Sequence, residues 1–487
     1  MPVCSGIFSR GGRSLLLPLH EWLPIRKRLH ALLNGTAIRQ YDRTQETEST
    51  AMLANYCLNP GAWYLHHRTF SLSVIVRIIF GQQFKMSESD IIDLQAAVRV
   101  FIGLLGKTPL DWFPNLTKIP KLFQIWRGSL EKIANAHHIT YKRWYDPMRE
   151  QVERGTAPSS FLSNWLSDLG LDKAQKKEEE EAMYTVIELL EAGFDTTRQA
   201  LNIMAMAAME YPDVFRRARL EVDGVCGVGS DARLPTLADM KGLPYICAMV
   251  KEILRWRLIT PFIIEHACSE DVEFDGYSFP AGTGFSINVA AVSNECDEPS
   301  VFRPERWLNG YEADVTHGLW IFGGGRRACV GSRVAQRSLF LCVSKLVQSV
   351  DFSLNGQYDS HVFNSHVEGE PFPLHASIRN AIICSSSVFH HLPSPRPSGG
   401  ATTWSSLSFG TGLVSSTRIC RTIGQTNSGS FDPSTARTCT PLRFAGSVVR
   451  QRRAHSTRSV MLSSPPSSNV TVPCAVRYLT VAGKKYA

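Results

Sequence analysis

The chain has 487 residues, 44% hydrophobic and 20% charged, an ordinary globular composition that excludes wholesale disorder, collagen and coiled-coil architectures. Its net charge of +8 suggests a nucleic-acid or membrane-surface partner only until it is divided along the sequence. Residues 381–487 carry 12 Lys and Arg against one acid, Asp432, so the rest is slightly acidic and no nucleic-acid partner is expected. Twelve cysteines at irregular spacings, with no CxxC pair, signal neither a zinc module nor a redox dithiol and suit a reducing compartment.

Residues 1–19 form an atypical segment whose apolar run, 15–19, is too short for a signal peptide, and nothing later reaches the roughly 20 apolar residues of a membrane helix. From Trp22 to about residue 220 the apolar spacing is mostly helical. The longest predicted helix covers 178–211, where Met183, Val186, Leu189, Leu190, Leu201, Met204, Met206 and Met209 populate most of the circumference, so it is expected to be buried. Its acidic start suits the positive end of the helix dipole, and Pro212 both ends it and opens the next helix. A further helix is predicted at 243–257, followed by short strands separated by Asp-Gly and Ala-Gly turns. A glycine-rich loop after Phe302 then leads into a last helix, and the ordered part is expected to close near Arg379. Beyond residue 380, Ser and Thr supply 32 of 107 residues without helical or strand periodicity, which predicts a disordered tail over 381–487. The pattern gives a mainly α chain with small β-sheets, an α+β class, with its folded domain over 20–380.

Phe322-Gly323-Gly324-Gly325-Arg326-Arg327-Ala328-Cys329-Val330-Gly331 delivers one cysteine beside two arginines, just ahead of a helix. Nearby guanidinium groups and a helix N-terminus favour thiolate, and glycines let the backbone approach a flat, bulky group, which describes a metal–thiolate seat. Ala192-Gly193-Phe194-Asp195-Thr196-Thr197 lies inside the long helix, although Gly and paired Thr are poor helix-interior residues. A Thr hydroxyl can bond back to the preceding turn and Gly can let the helix open, which suggests a local groove with an acid–alcohol pair. Glu252 and Arg255, three apart, share a helix face.

The cysteine loop resembles the haem-binding loop of cytochromes P450, Phe-x-x-Gly-x-Arg-x-Cys-x-Gly, at every fixed position: Phe322, Gly325, Arg327, Cys329 and Gly331. The resemblance implies the cytochrome P450 fold and haem b, iron protoporphyrin IX, with Cys329 as the axial thiolate of its iron. Arg327 would then pair with a propionate and Phe322 pack beside the sulfur. The helix motif resembles the family's oxygen-activation motif, implying that Asp195 and Thr196 deliver protons and that Ala192 and Gly193 leave room for dioxygen. Glu252, Arg255 and Arg306, the last in Phe302-Arg303-Pro304-Glu305-Arg306-Trp307, match the family's structural Glu–Arg–Arg triad. Trp22 and Arg26 resemble its Trp-x-x-x-Arg element, and His266 falls where a propionate-binding His or Arg often stands; both would reach a haem propionate. Residues 368–372 resemble the family's closing segment.

The chain most resembles fungal microsomal members of secondary metabolism. The implied activity is a haem-thiolate monooxygenase that takes O2, an apolar small-molecule substrate and electrons from NADPH-cytochrome P450 reductase. Basic residues around Arg26–Arg28 are the expected docking point. The family's membrane anchor, first helices and first strands have no counterpart here, which leaves edges near Phe262–Glu265 expected to be unpaired. The complete family member is expected at the endoplasmic-reticulum membrane, and this chain, without an anchor, in the cytoplasm or peripheral to a membrane. The alternative is a truncated, non-catalytic chain with impaired haem binding. A peroxygenase and a nucleic-acid-binding tail are weaker readings.

Overall fold

A computed structural model describes residues 3–81, 84–105, 110, 113–170, 176–357 and 372–379. The tail over 381–487, residues 368–371 of the closing segment and other intervening stretches lie outside the described residues. Among the described residues, helices dominate: α1 (Leu19–Leu33), α2 (Asp42–Leu58), α3 (Trp63–Phe80), α4 (Glu88–Leu104), α5 (Arg127–Glu153), α6 (Phe161–Leu169), α7 (Lys176–Glu210), α8 (Pro212–Cys226), α9 (Pro244–Trp256), α10 (Val289–Ser293) and α11 (Ser332–Ser349). The strands are short: β1 (His266–Ala267), β2 (Val272–Phe274), β3 (Tyr277–Phe279), β4 (Gly284–Phe285), β5 (Val350–Leu354) and β6 (Leu374–Ile378). They form three antiparallel pairs, β1 with β4, β2 with β3 and β5 with β6. The α+β expectation and the long central helix are met.

Local chemistry explains the boundaries. Ser87 caps α4 in a reciprocal box with Asp90, and Ser160 does the same for α6 with Ser163. Pro212 and Pro244 occupy the first turns of α8 and α9, where a missing N–H costs nothing. The freed amides of Tyr245 and Ile246 are taken by the Glu221 carboxylate, 2.8 and 3.0 Å away, which ties α9 to α8. Asp275 and Gly276, with φ of +50° and +76°, make the tight turn joining β2 to β3. Near the strands expected to lack partners, Phe262 forms an isolated bridge with Asn288 and remains half-exposed.

The 35-residue α7, about 50 Å long at 1.5 Å per residue, runs through both main cores. Its first half packs with α1, α3, α5 and α6 around Phe80, Trp144 and Phe194. Its second half packs with α2, α8, α9 and α11 around Met204, Ile253 and Phe340. Buried polar pins fix the packing. His67 on α3 bridges Tyr56 on α2 and Asn202 on α7, at 2.8 Å to each. On α11, Lys345 Nζ donates to Glu46 O, Ser49 Oγ and Thr50 Oγ1 of α2 at 3.1, 2.7 and 2.8 Å, so all three of its protons are placed.

The N-terminal segment, atypical in sequence, is built into this body. Phe8 packs edge-on against His137 of α5 and near Phe101 of α4. Arg13, 2% exposed, makes a two-pronged ion pair with Glu191 of α7 at 2.6 and 3.1 Å. Tyr141 of α5 donates to the same carboxylate at 2.8 Å.

Burial lowers the Lys345 pKa to about 8, against about 10.4 in an unfolded chain. Between these values the unfolded state binds more protons, so stability rises with pH; the contribution is complete above pH 10.4 and lost as pH falls through 8. Urea unfolding from pH 7 to 11 should therefore show wild type gaining up to about 3 kcal/mol relative to Lys345→Met. Parallel curves for the two proteins would refute this origin.

Candidate functional site

The cysteine loop closes on itself before anything else touches it. Gly323 and Gly325 adopt φ of +67° and +61°, which side chains resist, and this reversal lets Cys329 N donate to Phe322 O at 2.8 Å. Gly331 then stands at the N-terminus of α11, and Phe322 packs into the adjoining core. Helix α1 clamps the loop from one side. Buried Trp22 donates from Nε1 to Arg326 O at 3.2 Å, and Arg26 Nη1 donates to Ala328 O at 2.5 Å. Arg327 stacks over Trp22 and donates to Leu17 O at 2.6 Å. His266, on β1, is held below its ordinary pKa by partial burial and then by the Arg327 charge.

Cys329 is exposed, yet protein surrounds it closely enough for burial to push its thiol pKa up. The Gly331 and Ser332 amides and the Arg26 charge oppose the shift without overcoming it. The cation that favours thiolate is thus Arg26, brought in from α1, rather than the adjacent arginines to which the local sequence points. Coordination to a metal removes the thiol proton outright.

A second open surface lies on α7. Between Ala182 and Ala208 every residue is buried except Glu188, Leu189, Ala192, Gly193, Asp195 and Thr196. Their spacing of three and four places them on one stripe of the helix. Ala192 and Thr196 are the exposed members, and Thr196 Oγ1 donates to Ala192 O at 2.7 Å. The back-bond matches the sequence expectation, but α7 runs unbroken through it and does not open at Gly193. A Cβ on Gly193 would stand 2.8 Å from Ile75 of α3, so this glycine is needed for close helix approach, and Ala192 is the residue left facing open space. Asp195 and Thr196 are not bonded to each other. The Asp195 carboxylate accepts from Arg198, 2.6 Å away, and from Gln199, while Arg198 also donates to Tyr64 of α3 at 2.6 Å.

Glu252, Arg255 and Arg306 meet as the motif spacing predicts. Arg255 reaches the fully buried Glu252 carboxylate through Nε and Nη2 at 2.9 and 2.8 Å, and Arg306 through Nε at 3.1 Å. Trp307 Nε1 and the Arg303 amide add bonds of 2.8 and 2.9 Å that sequence reasoning missed. Arg26 is turned onto the loop and Arg28 lies 3.6 Å from Asp168, which leaves Lys27 as the outward cation of the expected docking point. A separate cleft of about 470 Å³, lined by Arg28, Tyr41, Arg77, Phe161, Trp165 and others, contains none of the site residues.

The family model described as Cytochrome P450 matches residues 18–367. This chain belongs to the cytochrome P450 family. It is 30% identical over 345 residues to the cytochrome P450 monooxygenase COX2 of Coprinopsis cinerea, covering 67% of this chain and 64% of that protein. It is also 30% identical over 349 residues to the monooxygenase fogE of Aspergillus ruber, covering 68% of this chain and 63% of that protein. The chain therefore spans a little under two thirds of the length of these relatives. A zebra fish cytochrome P450 structure with progesterone superposes at a TM-score of 0.60 and 23% identity, over 77% of this chain and 87% of that one, and shows the shared fold.

Family and fold imply a haem cofactor. The residues fit it: an exposed thiol on a backbone-locked loop, cationic side chains around that loop, and a long helix whose two exposed residues along an otherwise largely buried span are the small Ala192 and Thr196. Cys329 would hold the iron, and Trp22, Arg26, His266 and Arg327 surround the loop on which a propionate edge would rest. Sequence reasoning missed the Arg13–Glu191 pair and the bond from Ser14 Oγ to Glu188 at 2.6 Å. The readable signal was two acids within the apolar spacing of a buried helix.

Gly193→Ala should destabilise the fold by about 1–3 kcal/mol through overpacking against Ile75. In an Ile75→Ala background the same change should cost at least about 1 kcal/mol less. Additive denaturant midpoints would show that the contact is not the cause.

Proposed function

We propose that this chain is the haem-bearing body of a fungal haem-thiolate monooxygenase of secondary metabolism, acting on an apolar small molecule. One atom of O2 enters the substrate and the other leaves as water, with two electrons passed from NADPH through cytochrome P450 reductase and two protons from solvent. The observation that carries this reading is the exposed Cys329 on a glycine-turned loop that Trp22 and Arg26 of α1 clamp and that Arg327 ties to Leu17. Haem supplies the redox-active iron when bound, with Cys329 as its protein ligand. Thr196 holds a proton at Oγ1 on the open stripe, and the Asp195 carboxylate, fixed by Arg198 and Gln199, takes up a proton from solvent and relays it toward Thr196. Lys27, the outward cation of α1, suits an acidic reductase surface.

The carbon monoxide difference spectrum of the reduced, haem-loaded chain should show a strongly red-shifted Soret band that Cys329→Ser abolishes. A band that survives the substitution would remove the cysteine from the site. Thr196→Ala should keep the band but separate NADPH consumption from product formation, lowering the product yield per NADPH by about tenfold, a general acid–base effect at the low end of the usual range. Unchanged coupling would take the proton-delivery role from Thr196.

No helix among the described residues is long and apolar enough to cross a membrane. Peripheral attachment is supported by the α4–α5 connection, where Phe113, Leu122, Phe123 and Ile125 are 62%, 88%, 66% and 91% exposed. Lys118 and Lys121 lie among them, with no acid between Phe113 and Leu130. Apolar side chains that enter the acyl boundary with cations at headgroup level bind anionic bilayers. Replacing Leu122, Phe123 and Ile125 together with Ser should reduce co-flotation with phosphatidylserine-containing vesicles by about tenfold or more. Equal flotation of both proteins would place the attachment elsewhere.

A further inference from the structure

Residues 3–17 precede the family match, yet Arg13, Ser14 and Leu15 bond to α7 at the end of its open stripe. The Arg13–Glu191 pair pins them to the helix, and Leu17 O, held by Arg327, ties them to the cysteine loop. Between these two anchors, Ser14 Oγ and the Leu15 amide both donate to one oxygen of Glu188, Oε2, at 2.6 and 3.2 Å. Oε1 accepts no hydrogen bond among the described residues. Glu188 lies one turn before Ala192 and two before Thr196, within the stripe that opens to solvent. The Leu15 side chain, 38% exposed, stands beside it.

The charge balance is uneven. Arg13 is committed to Glu191 with two-pronged geometry and acts on Glu188 only as a nearby charge, so among the described residues the Glu188 carboxylate has no ion pair of its own and only neutral donors on one oxygen. A carboxylate in a partly buried wall with one oxygen open gains most from a cation delivered by a ligand, because the attraction is far less screened there than in water.

We propose that Glu188 is a specificity-determining residue, whose free Oε1 receives a cationic nitrogen at one end of an otherwise apolar substrate. Leu15 and Ala192 flank the point of contact, so the body of such a molecule lies along the stripe toward Thr196. This inference rests on the monooxygenase reading for the word substrate, but its test reads binding.

The test uses two molecules of nearly identical shape, benzyltrimethylammonium and its neutral isostere 2,2-dimethylpropylbenzene, neither of which has a lone pair to offer a metal. Calorimetric titration into the full haem-loaded chain should give at least about tenfold tighter binding of the cation. Glu188→Gln keeps the acceptor for Ser14 and Leu15, and should remove that preference while leaving the neutral isostere within about twofold. Equal affinity of the two probes for wild type, or a preference that survives Glu188→Gln, overturns the proposal. Should Glu188→Gln fail to fold, Glu188→Met takes its place, and a wild-type preference that survives it overturns the proposal in the same way. A wild-type chain with no thiolate-type Soret band would instead fault the monooxygenase reading, whereas a normal band without charge discrimination faults this inference alone.

Discussion

The buried carboxylate of Glu252 is the constraint on which the cysteine-bearing half of the molecule depends. An unpaired charge at zero exposure is not tolerated, so each donor around it must be delivered to a fixed place. Five donors from Arg255, Arg303, Arg306 and Trp307 converge on its two oxygens. Arg255 and Arg306 spend their remaining protons on the carbonyls of Ser293, Asp297, Pro299 and Val301. A chain segment without regular structure is thereby held to α9 by charge-assisted bonds, and the cysteine loop comes directly after it. The loop is rigid because both of its ends are fixed, the first by this anchored segment and the second by α11, which Lys345 pins to α2.

The same logic places the open stripe. Helix α7 is buried over nearly its whole span because two cores grow on its two halves, and such a helix exposes a surface only where no neighbour covers it. The uncovered stripe runs from Glu188 to Thr196. Three features bound it: Gly193, which lets α3 approach; the Asp195–Arg198–Tyr64 bonds, which hold the far edge; and the N-terminal segment, clamped by Glu188 and Glu191. Each is a polar or steric device, and apolar packing alone would have closed the gap.

Helix existence was legible because apolar periodicity and proline positions are local properties; Pro212 begins a helix as its position indicates, and the helix expected over 243–257 runs from Pro244 to Trp256. The loop was legible because closely spaced glycines and a cysteine have few structural uses. Gly193 was misread, since its demand comes from Ile75, more than a hundred residues earlier in the chain. Cys329 was misread in part for the same reason. Its sequence neighbours include two arginines, but one turns to Leu17, and the charge that acts on sulfur comes from Arg26.

By itself the sequence determined the α+β class and, through motifs that resemble those of the family, membership in it; the cysteine proposed to hold haem and the Glu–Arg–Arg set were expectations that this resemblance implied. Only the tertiary structure decided what those residues face. It showed that residues 3–17, with no recognisable pattern, belong to the folded body through Arg13 and Glu191. It also showed that Asp195 and Thr196, adjacent in the chain, serve different surfaces. The physical reason is that burial, electrostatic balance and steric room are sums over neighbours distant in sequence, and no local pattern contains them.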